Sequence, residues 1–487
     1  MKKQYITISL LAIATLFTAC SEDEKPYYPP PSTGGEGTEV ATAQMWVTSG
    51  DQSRLLAAQD NLSIVDNTET TYPAITINSG EQLQEIEGFG AALTGSSAYL
   101  IKNKLSAAQR NALLADLFNA ENGIGLSYLR LTVGASDFSL EDFTYDDMPS
   151  GITDENLDNF SIAHDETNVI PVLSDILAIN PNIQLMGSPW SAPAWMKTNQ
   201  SLYGGTLSTS YYNTYANYLV KYIEAYATHG ITINAITPQN EPLHTSGYPT
   251  MKMEATEQAA FIKNALGPVF AANDIDTKII AYDHNFDETS YPLTVLADED
   301  AAQYVSGSAF HAYAGEVSAM DNVHAAYPDK DLYFTEISGG EWSTDFGSNL
   351  KWYTRNILIG TTRNWSKTAL FWNLALDTNH GPTNNGCSDC RGVVTIDDAG
   401  DVSENVEYYA LAHFSKFVRP GAHRISSTTF DASTGLYNVA FENTDGSMVL
   451  IVLNESPSTK NFSVVLGDHR FDGSIPQSSV ATITWNY

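Results

Sequence analysis

Two glutamates stand where a strand runs out. Ile231–Pro242 reads I-T-I-N-A-I-T-P-Q-N-E-P, with Ile231, Ile233 and Ile236 set among small or polar residues as in a strand. It follows a helical run, Tyr211–His229, that stops at Gly230. Pro238 and Pro242 cannot extend a central ladder, so Gln239, Asn240 and Glu241 fall at the strand's C-terminal tip. Asp331–Gly340, D-L-Y-F-T-E-I-S-G-G, repeats the plan: a short apolar strand ends in Glu336, ahead of a glycine pair. In a parallel β/α barrel such tips form the face where reacting groups gather. One carboxyl that donates a proton and one carboxylate that attacks carbon are the pair that glycosidic bond cleavage needs. The competing readings are a helix N-cap acid for Glu241 and a solvated loop acid for Glu336.

T-P-Q-N-E-P (Thr237–Pro242) and F-T-E (Phe334–Glu336) resemble glycoside hydrolase family 30, which contains glucosylceramidases, β-1,6-glucanases and certain xylanases. The resemblance extends through G-F-G-A-A-L-T (Gly88–Thr94), L-R-L-T-V-G-A-S-D-F-S (Leu129–Ser139) and S-P-W-S-A-P-A-W-M-K-T-N (Ser188–Asn199). F-H-A-Y (Phe310–Tyr313), W-N-L-A-L-D (Trp372–Asp377) and H-F-S-K-F-V-R-P-G-A (His413–Ala422) continue it, in family order, over most of residues 85–425.

The resemblance implies that Glu241, on strand four, is the acid/base and Glu336, on strand seven, the nucleophile of a retaining reaction. The acid must hold its proton near neutral pH, which calls for burial and a neighbouring negative charge; the nucleophile must stay ionised. Arg130, at the end of strand two, is the cation that would keep it so, with a purely structural ion pair as the alternative. Asn240 matches a residue that hydrogen-bonds the sugar 2-hydroxyl. Asp137, Trp190, His311, Tyr313 and Trp372 match positions lining the sugar subsite, though each tryptophan taken alone fits a buried core, as Trp195 does. No metal and no cofactor is implied.

Cys387 and Cys390 form C-S-D-C after strand eight. In an exported chain whose third thiol, Cys20, is lipidated, a local disulfide is the leading reading. A redox motif lacks its fold context, and a zinc site built with His380 and Asp389 lacks four evident ligands. Gly386–Gly392, G-C-S-D-C-R-G, departs from the glucosylceramidase pattern and resembles the β-1,6-glucanase branch. In that branch a stiffened loop would shape the cleft for a polymer, with Arg391 binding a sugar hydroxyl.

These residues need a frame. Strand-like runs at 88–92, 127–133, 184–188, 231–237, 278–282, 307–313, 332–337 and 368–373 alternate with helical ones. Ala107–Asn119, Val169–Ile179, Tyr211–His229, Ala255–Ala272 and Ser348–Asn364 are the clearest helices. Eight strands alternating with helices predict an α/β chain folded as a (β/α)8 TIM barrel over residues 85–417. Tyrosines at 211, 212, 215, 218, 222 and 226 recur at helical spacing and read as a packed face, not a ligand stripe. Short β-like pieces at 44–84 and 418–487, broken by turn signals such as Asp445-Gly446 and Asp472-Gly473, predict an associated β-sandwich.

The N-terminus carries Lys2 and Lys3, then an apolar run from Ile6 to Ala19 that is too short for a stable membrane span. Residues 1–19 read as an export signal, and L-F-T-A-C (Leu16–Cys20) resembles a bacterial lipobox with Cys20 as the lipidated terminus. The acidic S-E-D-E-K (Ser21–Lys25) and the Pro, Gly, Ser and Thr up to about residue 43 read as a tether. This predicts a lipid anchor in the outer membrane, with the enzyme facing the cell surface. A formal charge of −33 repels phosphate backbones and argues against nucleic acid as a partner. The expectation is a monomeric, surface-anchored retaining glycosidase, an endo-β-1,6-glucanase acting on β-glucan. The alternatives are an exo-acting β-glucosidase or glucosylceramidase and an inactive glycan-binding lipoprotein.

Overall fold

Runs of apolar residues bounded by turn formers become strands buried on both faces. The computed structural model describes residues 37–486. Eight parallel strands close into a barrel: β1 (Gly88–Leu93), β2 (Tyr128–Val133), β3 (Gln184–Pro189), β4 (Ala235–Ile236), β5 (Lys278–Asn285), β6 (Val305–His311), β7 (Asp331–Glu336) and β8 (Ser366–Phe371). Seven of them each give one side chain to a buried interior cluster: Tyr128, Met186, Ala235, Ile280, Ala309, Tyr333 and Leu370. β1 contributes Gly90, paired with both Leu370 and Tyr128; a Cβ there would stand 1.8 Å from the Tyr128 carbonyl oxygen. The barrel is thus a filled core, and its chemistry is confined to the strand tips.

One strand differs from expectation. β4 is only two residues long, although 231–237 reads as a full strand. The Asn234 side chain accepts the Leu185 N–H at 2.8 Å, taking a ladder donor that a strand carbonyl would otherwise use. Pro238 closes the other end.

Helices pack around the barrel. Ala107–Phe118 opens with a reciprocal box between Ser106 and Gln109. Tyr212–Thr228 buries Tyr212, Tyr215, Tyr218, Tyr222 and Tyr226, and the Tyr226 hydroxyl donates to Asp165 at 2.7 Å. The helical stretches at 255–272 and 346–363 each contain a π turn, Ile262–Leu266 and Tyr353–Ile359.

The second unit is a sandwich built from both ends of the chain. Glu39–Ser49 pairs with Ser479–Trp485 and also with Leu62–Val65, and Ala74–Glu85 pairs with His423–Ser427 and Lys460–Leu466. The first strand begins at Glu39, inside the stretch whose composition reads as tether; its first four residues are exposed or half-buried, so they carry no apolar signal. The inner faces share one apolar core, and Val439, Phe441, Val449, Ile451 and Leu453 on the other face join the barrel's core. At this seam the helix Val406–Ser415 presents fully buried His413, bonded to Thr482 Oγ1 and Thr48 Oγ1 at 2.8 Å each. The export signal, Cys20 and the acidic patch lie outside the described residues.

Candidate active site

The site grows from a buried arginine. Arg130 lies on β2, fully buried, and one guanidinium reaches three anionic or amide partners. Nη1 donates to Glu336 Oε2 at 2.5 Å, and Nη2 donates to Asp283 Oδ2 at 2.8 Å and Asn240 Oδ1 at 2.7 Å. Its carbon lies 4.9 Å from the Trp190 ring centre and 5.6 Å from that of Trp372. A buried guanidinium requires such partners; both terminal nitrogens have them, and only Nε is left without one.

Asp283, which the sequence reading did not single out, is the counterweight. Besides Arg130, it accepts from Ser188 Oγ at 2.6 Å, Thr237 Oγ1 at 2.8 Å, Thr335 Oγ1 at 2.7 Å and His311 Nε2 at 3.0 Å. One carboxylate therefore ties together β2, β3, β5, β6, β7 and the exit from β4. Its backbone is unusual: Tyr282 and Asp283 have φ of 74° and 69°, and the β5–β6 register shifts between Ala309 and Phe310. Such a bulge re-aims a side chain, here into the barrel mouth. The available signal was A-Y-D-H-N at Ala281–Asn285, where an apolar run turns abruptly polar.

The two glutamates meet across His311. Its Nδ1 lies 3.1 Å from Glu241 Oε1 and 4.0 Å from Glu336 Oε1. Ligand atoms of Glu241, His311 and Glu336 all fall within 4.8 Å of one another. Tyr313 donates its hydroxyl to Glu336 Oε1 at 2.9 Å while the residue as a whole stays 45 % exposed. Glu241 itself sits at φ 43°, with its N–H on the Asp283 carbonyl.

The electrostatics follow from this crowding. Burial works against a charge on His311, yet Glu336, Asp283 and Glu241 raise it to about 9, so both ring nitrogens donate. Burial also opposes the Asp283 anion, but Arg130 and His311 hold it well below the usual carboxylate range. In the unliganded site burial raises Glu336, aided by the charge of Glu241, against the pull of His311 and Arg130. Burial likewise raises Glu241, but the His311 hydrogen bond together with the charges of His311, His284 and His244 outweighs it and lowers the carboxyl. With all three carboxylates ionised, Arg130 and His311 leave one excess negative charge, which one proton shared by the two glutamates removes. Two carboxyls converging on one imidazole are suited to moving that proton.

The remaining expected residues are placed as follows. Asn240 gives its oxygen to Arg130, which leaves its NH2 free to donate toward the mouth. Trp190 and Trp372 stack on each other at 5.1 Å and are only 2 % and 3 % exposed, so they offer a sugar a rim and not an open face. Asp137 is driven well above the usual carboxylate range by burial and by the charges of Glu336 and Glu241, and so stands as a hydrogen-bond donor. Trp195 is buried, its indole N–H on the Asp146 carbonyl. Tyr248, not anticipated, packs on the Trp190–Trp372 cluster and shares a hydrogen bond with His244 Nε2 at 3.1 Å.

The loop after β8 is joined to the site. Cys387 and Cys390 are bonded. The Asn384 N–H donates to the Asp137 carbonyl at 2.7 Å, and a Cβ on Gly386 would come within 2.6 Å of the Asp137 side chain. Arg391, expected to bind a sugar hydroxyl, has its Nε and Nη2 on Glu407, at 2.8 Å for the shortest contact. Glu407 is 1 % exposed and also accepts from Tyr353, so it needs a cation partner, and Arg391 supplies it. The arginine anchors the loop to the barrel's last helix.

Comparison with known proteins agrees with this fold. Residues 86–418 match the glycosyl hydrolase family 30 TIM-barrel domain and residues 421–483 the family's β-sandwich domain. An endo-1,6-β-D-glucanase from Trichoderma harzianum is 36% identical over 447 residues, 87% of this chain and 86% of the relative. The lysosomal acid glucosylceramidase of Mus musculus is 31% identical over 457 residues, 87% of this chain and 85% of that one. A solved endo-β-1,6-glucanase structure superposes with a TM-score of 0.85 at 36% identity, covering 92% of this chain and all of the other.

Proposed function

From its place in glycosyl hydrolase family 30, to which this glycoside hydrolase belongs, we propose that the chain is a retaining endo-β-1,6-glucanase with Glu336 as nucleophile and Glu241 as acid/base. The observation that carries retention is the closeness of the two carboxyls, with oxygens within 4.8 Å. Retaining pairs stand about 5–5.5 Å apart, whereas inverting pairs stand about 6.5–9.5 Å apart to admit a water. The linkage rests on the relatives named as endo-1,6-β-glucanases, at 36–38% identity over most of the chain.

The reaction runs in two displacements. A glycosidic oxygen beside Glu241 accepts a hydrogen bond only from the protonated acid, and positive charge growing at the anomeric carbon favours the Glu336 anion. Substrate therefore draws the shared proton onto Glu241. Glu336 bonds to the anomeric carbon as the carbon–oxygen bond breaks, and the Glu241 proton goes to the leaving hydroxyl. Water then attacks the same carbon, Glu241 takes its proton, and Glu336 departs as a carboxylate. Arg130 and Tyr313 hold Glu336 in line throughout, and His311 holds Glu241.

Products from a panel of β-1,6-, β-1,3- and β-1,4-glucans, xylan and a glucosylceramide test the assignment. β-1,6-Glucan should yield short β-configured oligosaccharides first. Release of glucose alone from chain ends would defeat endo action, and preference for glucosylceramide or xylan would defeat the linkage.

L-F-T-A-C (Leu16–Cys20) and the acidic run after it support a lipid anchor at Cys20 in the outer membrane. Metabolic labelling with a radioactive fatty acid should mark the protein and not its Cys20→Ser variant; labelling of both would refute the anchor.

A further inference from the structure

Trp342 is, among the described residues, the most exposed of the large apolar side chains at 57 %. It stands six positions beyond Glu336, on the loop that leaves β7 at the catalytic face. Its indole is seated. A Cβ on Gly340 would meet two carbons of the six-membered ring at 2.1 and 2.5 Å, so the ring lies across that glycine with its outer side bare. The seat is rigid as well. Gly340 pairs with Cys390 of the disulfide loop, and the Glu341 N–H donates to the Asp389 carbonyl at 2.8 Å.

The same Cys390 packs in one apolar cluster with Trp190, Trp372 and Phe138 at the floor of the glutamate site. Packing is therefore continuous from the tryptophans beside the two glutamates through Cys390 to the Gly340 seat of Trp342. Around the ring, Glu341, Thr344 and Asp345 are exposed and polar. One indole in a polar setting is far too small for a protein partner, whose stable interfaces cover about 1,000 Å² or more. A flat ring with hydrogen-bonding groups at its rim matches a pyranose, which has an apolar face and a hydroxyl edge.

We propose that Trp342 is an outer glucosyl subsite: a stacking platform for a unit of the same glucan chain that is cut between Glu241 and Glu336. The proposal rests on the β-glucan reading above and deepens it, since it explains how a chain longer than the central site is gripped. The disulfide loop then serves as the wall that holds platform and site in register.

Kinetics of the full chain and of Trp342→Ala and Trp342→Phe on β-1,6-glucan and on an aryl β-glucoside, which fills only the central site, test this. Loss of one stacking contact should raise KM for the polymer roughly tenfold in the Ala variant while kcat holds, with Phe recovering part of the loss. The aryl glucoside reports on the fold and should not share the change in KM. Unchanged polymer KM in Trp342→Ala, or an equal loss on both substrates, would overturn the subsite. Inertness of the unaltered protein toward β-1,6-glucan is a separate result, which sinks the substrate reading and the subsite with it.

Discussion

At the scale of residues, the site is an arrangement of five charges in which no group acts alone. Replacing Glu336 by Ala removes the glycosyl-enzyme, so even a substrate with an excellent leaving group should react poorly. Replacing Glu241 by Ala spares the first step for such a substrate and lets the intermediate accumulate. Added azide should then speed Glu241→Ala and give the β-glycosyl azide, while any azide product of Glu336→Ala should be α. Product configurations opposite to these would exchange the two roles. Glu336 and then Asp283 raise the group between the two glutamates. His311, raised to about 9, is charged throughout the neutral range and loses its proton as pH rises through that value. Asp283→Asn removes one of the charges that raise it, so the alkaline limb of kcat/KM should move downward in pH. The same change leaves buried Arg130 short of a partner and should cost about 3 kcal/mol of stability by denaturant unfolding. An unmoved alkaline limb would separate His311 from catalysis.

At the scale of elements, the loop after β8 is held by three kinds of tie. They are the Cys387–Cys390 bond, the ladder to Gly339 and Gly340, and the Arg391–Glu407 clasp. The disulfide closes a ring of few residues and so constrains little of the unfolded chain. Replacing both cysteines with Ser should therefore lower Tm by only a few degrees. It should reduce cleavage of polymer more than that of an aryl glucoside, because Gly386 rests on Asp137 and Cys390 pairs beside Trp342. Equal losses on both substrates would show that the bond serves folding instead. Two titratable thiols in the denatured exported protein would show that it does not form there.

At the scale of the whole molecule, barrel and sandwich share a buried seam with one histidine in it. Thr482 gives its hydroxyl proton to the His413 carbonyl, so it accepts from Nδ1, and Nε2 accepts from Thr48. That neutral tautomer leaves no place for a second proton, and burial lowers the group to about 3. Above about pH 6.5 neither folded nor unfolded state protonates this ring, and stability is unaffected. As pH falls from there toward 3 the unfolded chain takes up a proton that the folded one refuses, so stability drops by about 1.4 kcal/mol per pH unit from this group. His413→Gln should flatten the acid side of a Tm–pH curve between pH 6 and 4; an unaltered slope would place the acid sensitivity elsewhere.

The sequence by itself determined the alternation of eight strands and their helices, the sandwich, the two glutamates and the arginine beneath them. Strand tips, prolines and hydrophobic runs are local properties, and motif spacing carries them intact. Asp283 stayed hidden because its importance lies in partners scattered from Arg130 to Thr335, which only a closed barrel brings to one carboxylate. The Arg391–Glu407 pair stayed hidden for the same reason: Glu407 is on a helix that local reading assigned no charge to bury. Likewise the short β4 turns on a side-chain bond from Asn234 to the neighbouring strand, and the strand start at Glu39 on a pairing with Leu62–Val65. Which charges share the buried proton, and which aromatic ring is left bare at the mouth, depend on distances between segments far apart in the chain. Those were decided by the tertiary structure alone.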